Sequence, residues 1–182
     1  MRQDLKNFPS TSSLRGRSSL YVQVWWIVQA TLFGCSPQFM YGWRRFLLRS
    51  FGAKVGNGAI VRPTARVTFP WKLTLGENCW IGDEVRLYNW ETISIGDNAV
   101  VSQSSYVCTA SHDWNDKYFP LTAKAVSVGT EAWVATDVFI APGVTIGDGA
   151  VVGARSSVFS DLPSDMVCYG CPAKPVYPRE VS

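Results

Sequence analysis

Aliphatic residues recur every six positions from residue 55 almost to residue 160, and a period of six fits neither an α-helix nor a simple hairpin. Val55, Val61 and Val67 open the series. After a shift of two residues come Leu75, Ile81, Leu87 and Ile93, and after a second shift Ile95, Val101 and Val107. Following an interruption, Val128, Val134, Ile140, Ile146, Val152 and Val158 complete the pattern. Gly56, Gly76, Gly82, Gly96, Gly129, Gly147 and Gly153 each stand directly after an aliphatic position. A chain that turns a corner every six residues meets all of this: the aliphatic side chain points into a narrow prism and a small residue eases the corner. Successive coils then pair edge to edge in parallel.

The spacing from Val107 to Val128 is 21 residues, three more than a multiple of six, so 108–125 must include an excursion from the prism. This segment is polar and aromatic without periodicity, and loops carried by a rigid scaffold are where function concentrates. It holds His112, the only histidine of the sequence. Histidine is the side chain whose unperturbed titration falls near neutral pH, which suits a general base. A lone histidine also excludes a multi-histidine zinc centre, and no metal is expected.

With 182 residues, 47% apolar and 17% charged, the chain is expected to form one folded unit. Charge is unevenly spread. Residues 1–50 hold seven Lys or Arg (Arg2, Lys6, Arg15, Arg17, Arg44, Arg45, Arg49) against one acid, Asp4, whereas the remainder is net acidic. From Leu20 to Trp43 no residue carries a formal charge, although Gln23, Gln29, Ser36, Pro37 and Gln38 make a membrane-spanning helix unfavourable. Pro37 is expected to end one helix near Cys35, and a second is expected over Gln38–Phe51, with Arg44, Arg45 and Arg49 among aromatics. Two readings stay open: peripheral contact of residues 20–50 with a membrane interface, or a helical cap on one open end of the β-helix. Nucleic acid is not expected, because the basic residues flank an uncharged run instead of interleaving with exposed aromatics. Five scattered cysteines, an odd number in a chain too large to need staples, point to a reducing compartment, and the pair Cys168 and Cys171 lacks the companions of a zinc or redox motif.

These hexapeptides resemble those of the left-handed parallel β-helix acyltransferases, in which three six-residue faces make an 18-residue coil. Further motifs narrow the likeness: Trp43-Arg44-Arg45, Arg49-Ser50-Phe51-Gly52-Ala53-Lys54, Pro70-Trp71-Lys72-Leu73, Ser111-His112-Asp113, Pro142-Gly143-Val144 and Gly170-Cys171-Pro172-Ala173-Lys174. Together they resemble the colanic-acid biosynthesis acetyltransferases of the maltose/galactoside acetyltransferase group, from Asn7 to Lys174. The resemblance implies an all-β fold, a left-handed parallel β-helix with a protruding catalytic loop and a short helical N-terminal extension. Residues 1–52 would be the extension, 53–163 the β-helix with loop 108–125, and 164–182 a tail on the CoA side.

It also implies acetyl-CoA as cosubstrate, a sugar or polysaccharide-precursor hydroxyl as acceptor, and His112 as general base in a ternary complex. Asp113 is expected to orient the imidazole or bind acceptor. Asn89, 18 residues before Val107 and so expected one coil below it, is assigned with Tyr88 and Trp133 to the acceptor side. Ala135 and Thr136 are expected to offer backbone N–H groups to the oxyanion, Gly153 and Ala154 to lie beside the pantetheine, and Lys174 to approach the nucleotide phosphates. A Thr-Lys pair of the relatives is replaced by Phe159-Ser160, and Cys171 stands where Asn is usual, so Arg155 or Arg179 is expected to compensate. The resemblance further implies a homotrimer and a cytoplasmic location, at the inner membrane face if the extension touches lipid. Rival readings are acetylation of an amino sugar or small xenobiotic, and a non-catalytic β-helix scaffold.

Overall fold

The computed structural model describes residues 3–180, so Arg2 of the basic run lies outside the described residues. After a short α1 (Ser12–Arg15) come α2 (Ser19–Val28), which runs into a π turn at Gln29–Phe33, and α3 (Tyr41–Ser50). The chain then winds into short strands, three to a coil. The first coil is β1 (Lys54–Val55), β2 (Ile60–Val61) and β3 (Arg66–Val67); the second is β4 (Leu73–Leu75), β5 (Trp80–Ile81) and β6 (Arg86–Tyr88). The third is β7 (Ile93–Ile95), β8 (Val100–Val101) and β9 (Tyr106–Cys108), followed by β10 (Ala110–His112) and β11 (Leu121–Ala123). The fourth is β12 (Val126–Val128), β13 (Trp133–Val134) and β14 (Phe139–Ile140), the fifth β15 (Thr145–Ile146), β16 (Val151–Val152) and β17 (Ser157–Val158). β18 (Met166–Gly170) and β19 (Ala173–Pro178) close the fold.

Equivalent strands of successive coils pair in parallel, giving a three-sided β-helix. The first face is β1-β4-β7-β12-β15, the second β2-β5-β8-β13-β16-β18 with β19 folded back on it, and the third β3-β6-β9-β14-β17. Each strand of these five coils turns at least one aliphatic residue inward, and Val61, Ile81, Val101, Val134, Ile140 and Val152 sit at 0–1% exposure in one continuous core. The six-residue pattern is therefore the inward set of the prism.

Coil length is not uniform. Val55 pairs with Leu75 and Leu75 with Ile95, so the first two coils take 20 residues each rather than 18. Val128 pairs with Ile146 after 18, and Val152 with Cys168 after 16. The two additional residues fall at the edge where the third face meets the next coil's first face, at Phe69–Lys72 and Asn89–Thr92. Ile93 and Ile95, which the six-residue count placed in separate phases, share one strand. The stack also passes residue 163: Leu162 bridges to Ile146 and β18 pairs with β16, so the first part of the expected tail is a last, short coil.

The helical extension seals the first coil. Open strand edges present unpaired backbone groups, and here side chains of the extension meet them. Trp25 donates its indole N–H to the Val67 carbonyl at 2.8 Å and Gln29 Oε1 accepts from the Val67 N–H at 2.6 Å. Arg44, fully buried, donates to the carbonyls of Val61, Pro37 and Gln38 and to Ser36. Arg45 donates to the Ala59 carbonyl and Arg49 to that of Val55. These three arginines, left open between a membrane interface and a helical end cap, are thus turned inward onto β1 and β2 and their flanks. Burial pushes the Arg44 guanidinium below its ordinary value, partly offset by Tyr41.

Candidate active site

The excursion is a β-hairpin. β10 and β11 pair antiparallel, with Ala110 opposite Ala123, Ser111 opposite Thr122 and His112 opposite Leu121. Its tip is held by its own side chains: Asp113 accepts from the Asn115 N–H at 3.0 Å and Asp116 from the Tyr118 N–H at 2.8 Å, as short polar side chains do in turns. Asp113 is therefore a turn-forming residue rather than the one that orients the imidazole.

That orientation comes from Phe119. Its carbonyl lies 2.9 Å from His112 Nδ1, and its ring stacks on the imidazole at 4.2 Å and 7°. A carbonyl oxygen only accepts, so Nδ1 carries the proton and, in the neutral ring, Nε2 keeps its lone pair. Phe119 holds φ +50, a left-handed conformation that costs a bulky residue about 1–2 kcal/mol. The N-terminal segment adds a further wall: Phe8 lies 6.0 Å from the imidazole, and the Asp4 N–H donates to the Lys117 carbonyl at 2.7 Å. Neither Phe119 nor Phe8 stands out in the sequence, because one acts from a hairpin turn and the other across a long-range contact, and no periodicity marks either.

His112 and Asp113 line a pocket of about 380 Å³ together with Trp114, Thr122, Lys124 and Pro142. The other expected residues lie elsewhere. Asn89 is fully buried; its amide accepts from the Phe69 N–H at 2.9 Å and donates to the Phe69 carbonyl at 2.7 Å. Because the coil here is 20 residues long, Asn89 sits beneath Thr109, not Val107, and its amide pins the widened corner instead of facing a ligand. Tyr88 packs edge-on against Trp90 and Tyr106 on the third face.

Several of the residues expected to meet acetyl-CoA lie at the edge between the second and third faces. Thr136 and Arg155 stack there, the Arg155 N–H donating to the Thr136 carbonyl at 3.0 Å. Ala135 spends its N–H on the Val152 carbonyl at 2.9 Å, which removes it as an oxyanion donor. The Thr136 N–H has no acceptor among the described residues, and its hydroxyl donates to the Gln103 carbonyl. A Cβ on Gly153 would lie 2.8 Å from that of Tyr169, so its small size is set by the coil above it; Ala154 is exposed. Arg155, its side chain 85% exposed, sits 3.3 Å from Asp137. Lys174 is exposed on β19 opposite Tyr169. Arg179 is committed to the carbonyls of Glu131 and Gly149, on another edge, and does not join this group. Trp133 lies on the outer surface of the second face and donates to Ser102 at 3.0 Å. Within one chain the whole third face separates this edge from His112.

Among the described residues no group of three or more His, Cys, Asp or Glu is placed to hold a metal ion. All five cysteines are free thiols; burial pushes that of Cys79 up to about 12 and that of Cys168 upward.

The chain is 53% identical over 171 residues, 94% of each sequence, to an Escherichia coli K12 protein named "Putative colanic acid biosynthesis acetyltransferase WcaF". It belongs to the hexapeptide-repeat acetyltransferases of the maltose and galactoside type. Other members resemble it along most of their length. It is 28% identical over 142 residues to the galactoside O-acetyltransferase of E. coli K12, covering 76% of this chain and 69% of that one. A solved maltose O-acetyltransferase from Clostridium difficile 630 superposes with a TM-score of 0.81 at 26% identity, covering 90% of both. A hexapeptide-repeat acetyltransferase from Vibrio cholerae, solved with acetyl-CoA, gives 0.82 at 24% identity over 91% of this chain and 92% of that one. This last likeness speaks to the fold, the left-handed parallel β-helix of the hexapeptide-repeat acetyltransferases. No protein-family model matches the chain.

Proposed function

We propose that this acetyltransferase moves the acetyl group of acetyl-CoA to a hydroxyl of a sugar or polysaccharide precursor, with His112 as general base. The observation that carries the reading is the His112 imidazole beside a pocket of about 380 Å³, its Nδ1 held by the Phe119 carbonyl so that Nε2 is the accepting nitrogen of the neutral ring. Nε2 takes the proton of the acceptor hydroxyl as its oxygen attacks the thioester carbon. The tetrahedral intermediate then collapses, the carbon–sulfur bond breaks, and the CoA sulfur leaves with the proton returned by His112. Acceptor and thioester are bound together, so no acyl-enzyme forms. The Thr136 N–H is the donor available to the oxyanion.

The separation of His112 from Thr136, Ala154 and Arg155 by a full face supports an assembly in which a neighbouring copy brings the two edges together. The outer ladder of the second face supports the same: Trp80, Val100, Trp133 and Val151 stand in register, and the two tryptophans are each 47% exposed. A homotrimer with a site at each interface fits both features. We also infer a peripheral membrane contact at the cytoplasmic surface through the apolar stripe Leu20, Val24 and Ile27 of α2, exposed at 75%, 42% and 63%. No helix among the described residues is long and apolar enough to cross a membrane.

The test is thiol release from acetyl-CoA with a panel of mono- and oligosaccharides, comparing the parent with His112→Ala. Acceptor-dependent release should fall about 10²–10⁴-fold in the variant with unchanged thermal stability. Equal rates in the two proteins would remove His112 from this role.

A further inference from the structure

A cavity of about 720 Å³ lies away from the His112 hairpin, between the helical extension and the third face. Its floor is a ladder of outward side chains in direct register: Arg66 opposite Arg86, and Arg86 opposite Tyr106. Two arginines facing each other on neighbouring strands repel, and such pairs are destabilising unless an anion sits between them. Both are exposed, and among the described residues neither forms an ion pair. Two carboxylates border the cavity, but each is turned to another partner: Glu84 to the Ser104 hydroxyl at 3.4 Å and Asp137 to Arg155 at 3.3 Å. Beside the arginines, Tyr106 is half-buried and packs edge-on against Phe139 at 5.9 Å, a fixed aromatic surface next to paired guanidinium groups. The opposite wall is the π turn, where α2 widens at Gln29 and Ala30, and such π turns are frequent at functional sites.

We propose that this cavity binds an anionic saccharide, Arg66 and Arg86 receiving a carboxylate or phosphate and Tyr106 the face of a sugar ring. Guanidinium forks match both anions bidentately. The cavity reaches Asp137 at the edge that carries Thr136 and Arg155, so a sugar held there lies along the cofactor side of the site. This deepens the acetyltransferase reading by giving the acceptor's chemical class, and it rests on that reading only in calling the bound sugar an acceptor.

The test is calorimetric titration of the full chain with digalacturonate, glucose 6-phosphate and neutral cellobiose, for the parent and for Arg66→Gln/Arg86→Gln. At least one acidic ligand should bind more tightly than cellobiose, and the one preferred identifies the anion. The double variant should lose on the order of 10- to 100-fold in affinity for that ligand, with cellobiose unaffected and thermal stability equal or higher because a like-charge pair has been removed. A second readout uses Cys35, an exposed thiol on the cavity wall: in a Cys171→Ser background, saturating acidic ligand should slow its alkylation. No preference for acidic ligands, affinity that survives the double variant, or unchanged alkylation of Cys35 would overturn the site. Acidic binding that depends on both arginines, without acetyl transfer to any acceptor, would instead overturn the acetyltransferase reading and leave the site standing.

Discussion

Two edges of the same prism turn the chain through the same angle by opposite means. Between the first and second faces, Gly56, Gly76, Gly96, Gly129 and Gly147 form a column in which each backbone lies directly on the next. A Cβ on Gly96 would come within 2.5 Å of the Thr130 nitrogen. Between the third face and the next coil, the corner is widened by two residues in the first two coils and opened by the hairpin after the third. There the space holds Phe69, Trp71, Trp90 and, on the hairpin, His112. Backbone-on-backbone stacking leaves no room for a side chain, so bulky side chains and the His112 hairpin collect at the edge where the repeat is relaxed.

The tight edge should be the more fragile. Gly96→Ala must separate two coils at backbone level, with no flexible side chain to give way, and is expected to cost more than about 4 kcal/mol. Chemical denaturation would measure it, and a loss under about 1 kcal/mol would mean that the column is looser than its spacing.

The widened edge should respond less, and through side chains. Asn89→Leu removes an amide that satisfies both backbone groups of Phe69 in a fully buried corner. Leaving them unpaired is expected to cost about 2–4 kcal/mol. If Asn89 instead served the acceptor, stability would hold and the acceptor KM alone would rise.

The contrast also explains what could be read without coordinates. Inward positions such as Val61, Ile81 and Ile140 declare themselves because a prism allows one orientation per strand and repeats it every six residues. The widened corners are marked only by two-residue phase shifts. Where a strand turns two aliphatic residues inward, as β7 does with Ile93 and Ile95, the count slips, and with it the coil length used to place Asn89. Arg44, Arg45 and Arg49 could not be divided between membrane contact and end cap, because the carbonyls they meet belong to a strand edge that exists only in three dimensions. His112 stands out as the lone histidine in the single large excursion, whereas the residue that fixes its tautomer cannot be seen until the hairpin closes.

The smallest expected effect tests that partner most finely. Phe119 acts on His112 through its carbonyl, which any residue supplies, and through its ring, which only an aromatic supplies. Phe119→Gly keeps the carbonyl and relieves the φ of +50, while Phe119→Ala keeps the carbonyl and retains the strain. Loss of a stacked aromatic contact is worth about 0.5–1.5 kcal/mol, so kcat is expected to fall roughly 2- to 10-fold in both variants with the KM for acetyl-CoA little changed. Phe119→Gly should be the more thermally stable of the two, since glycine adopts positive φ freely. A fall in kcat for alanine alone would assign the effect to hairpin strain, and no fall in either would leave the carbonyl as sufficient to aim the imidazole. Equal losses in both, at different stabilities, would separate the ring's contribution from that of the turn that carries it.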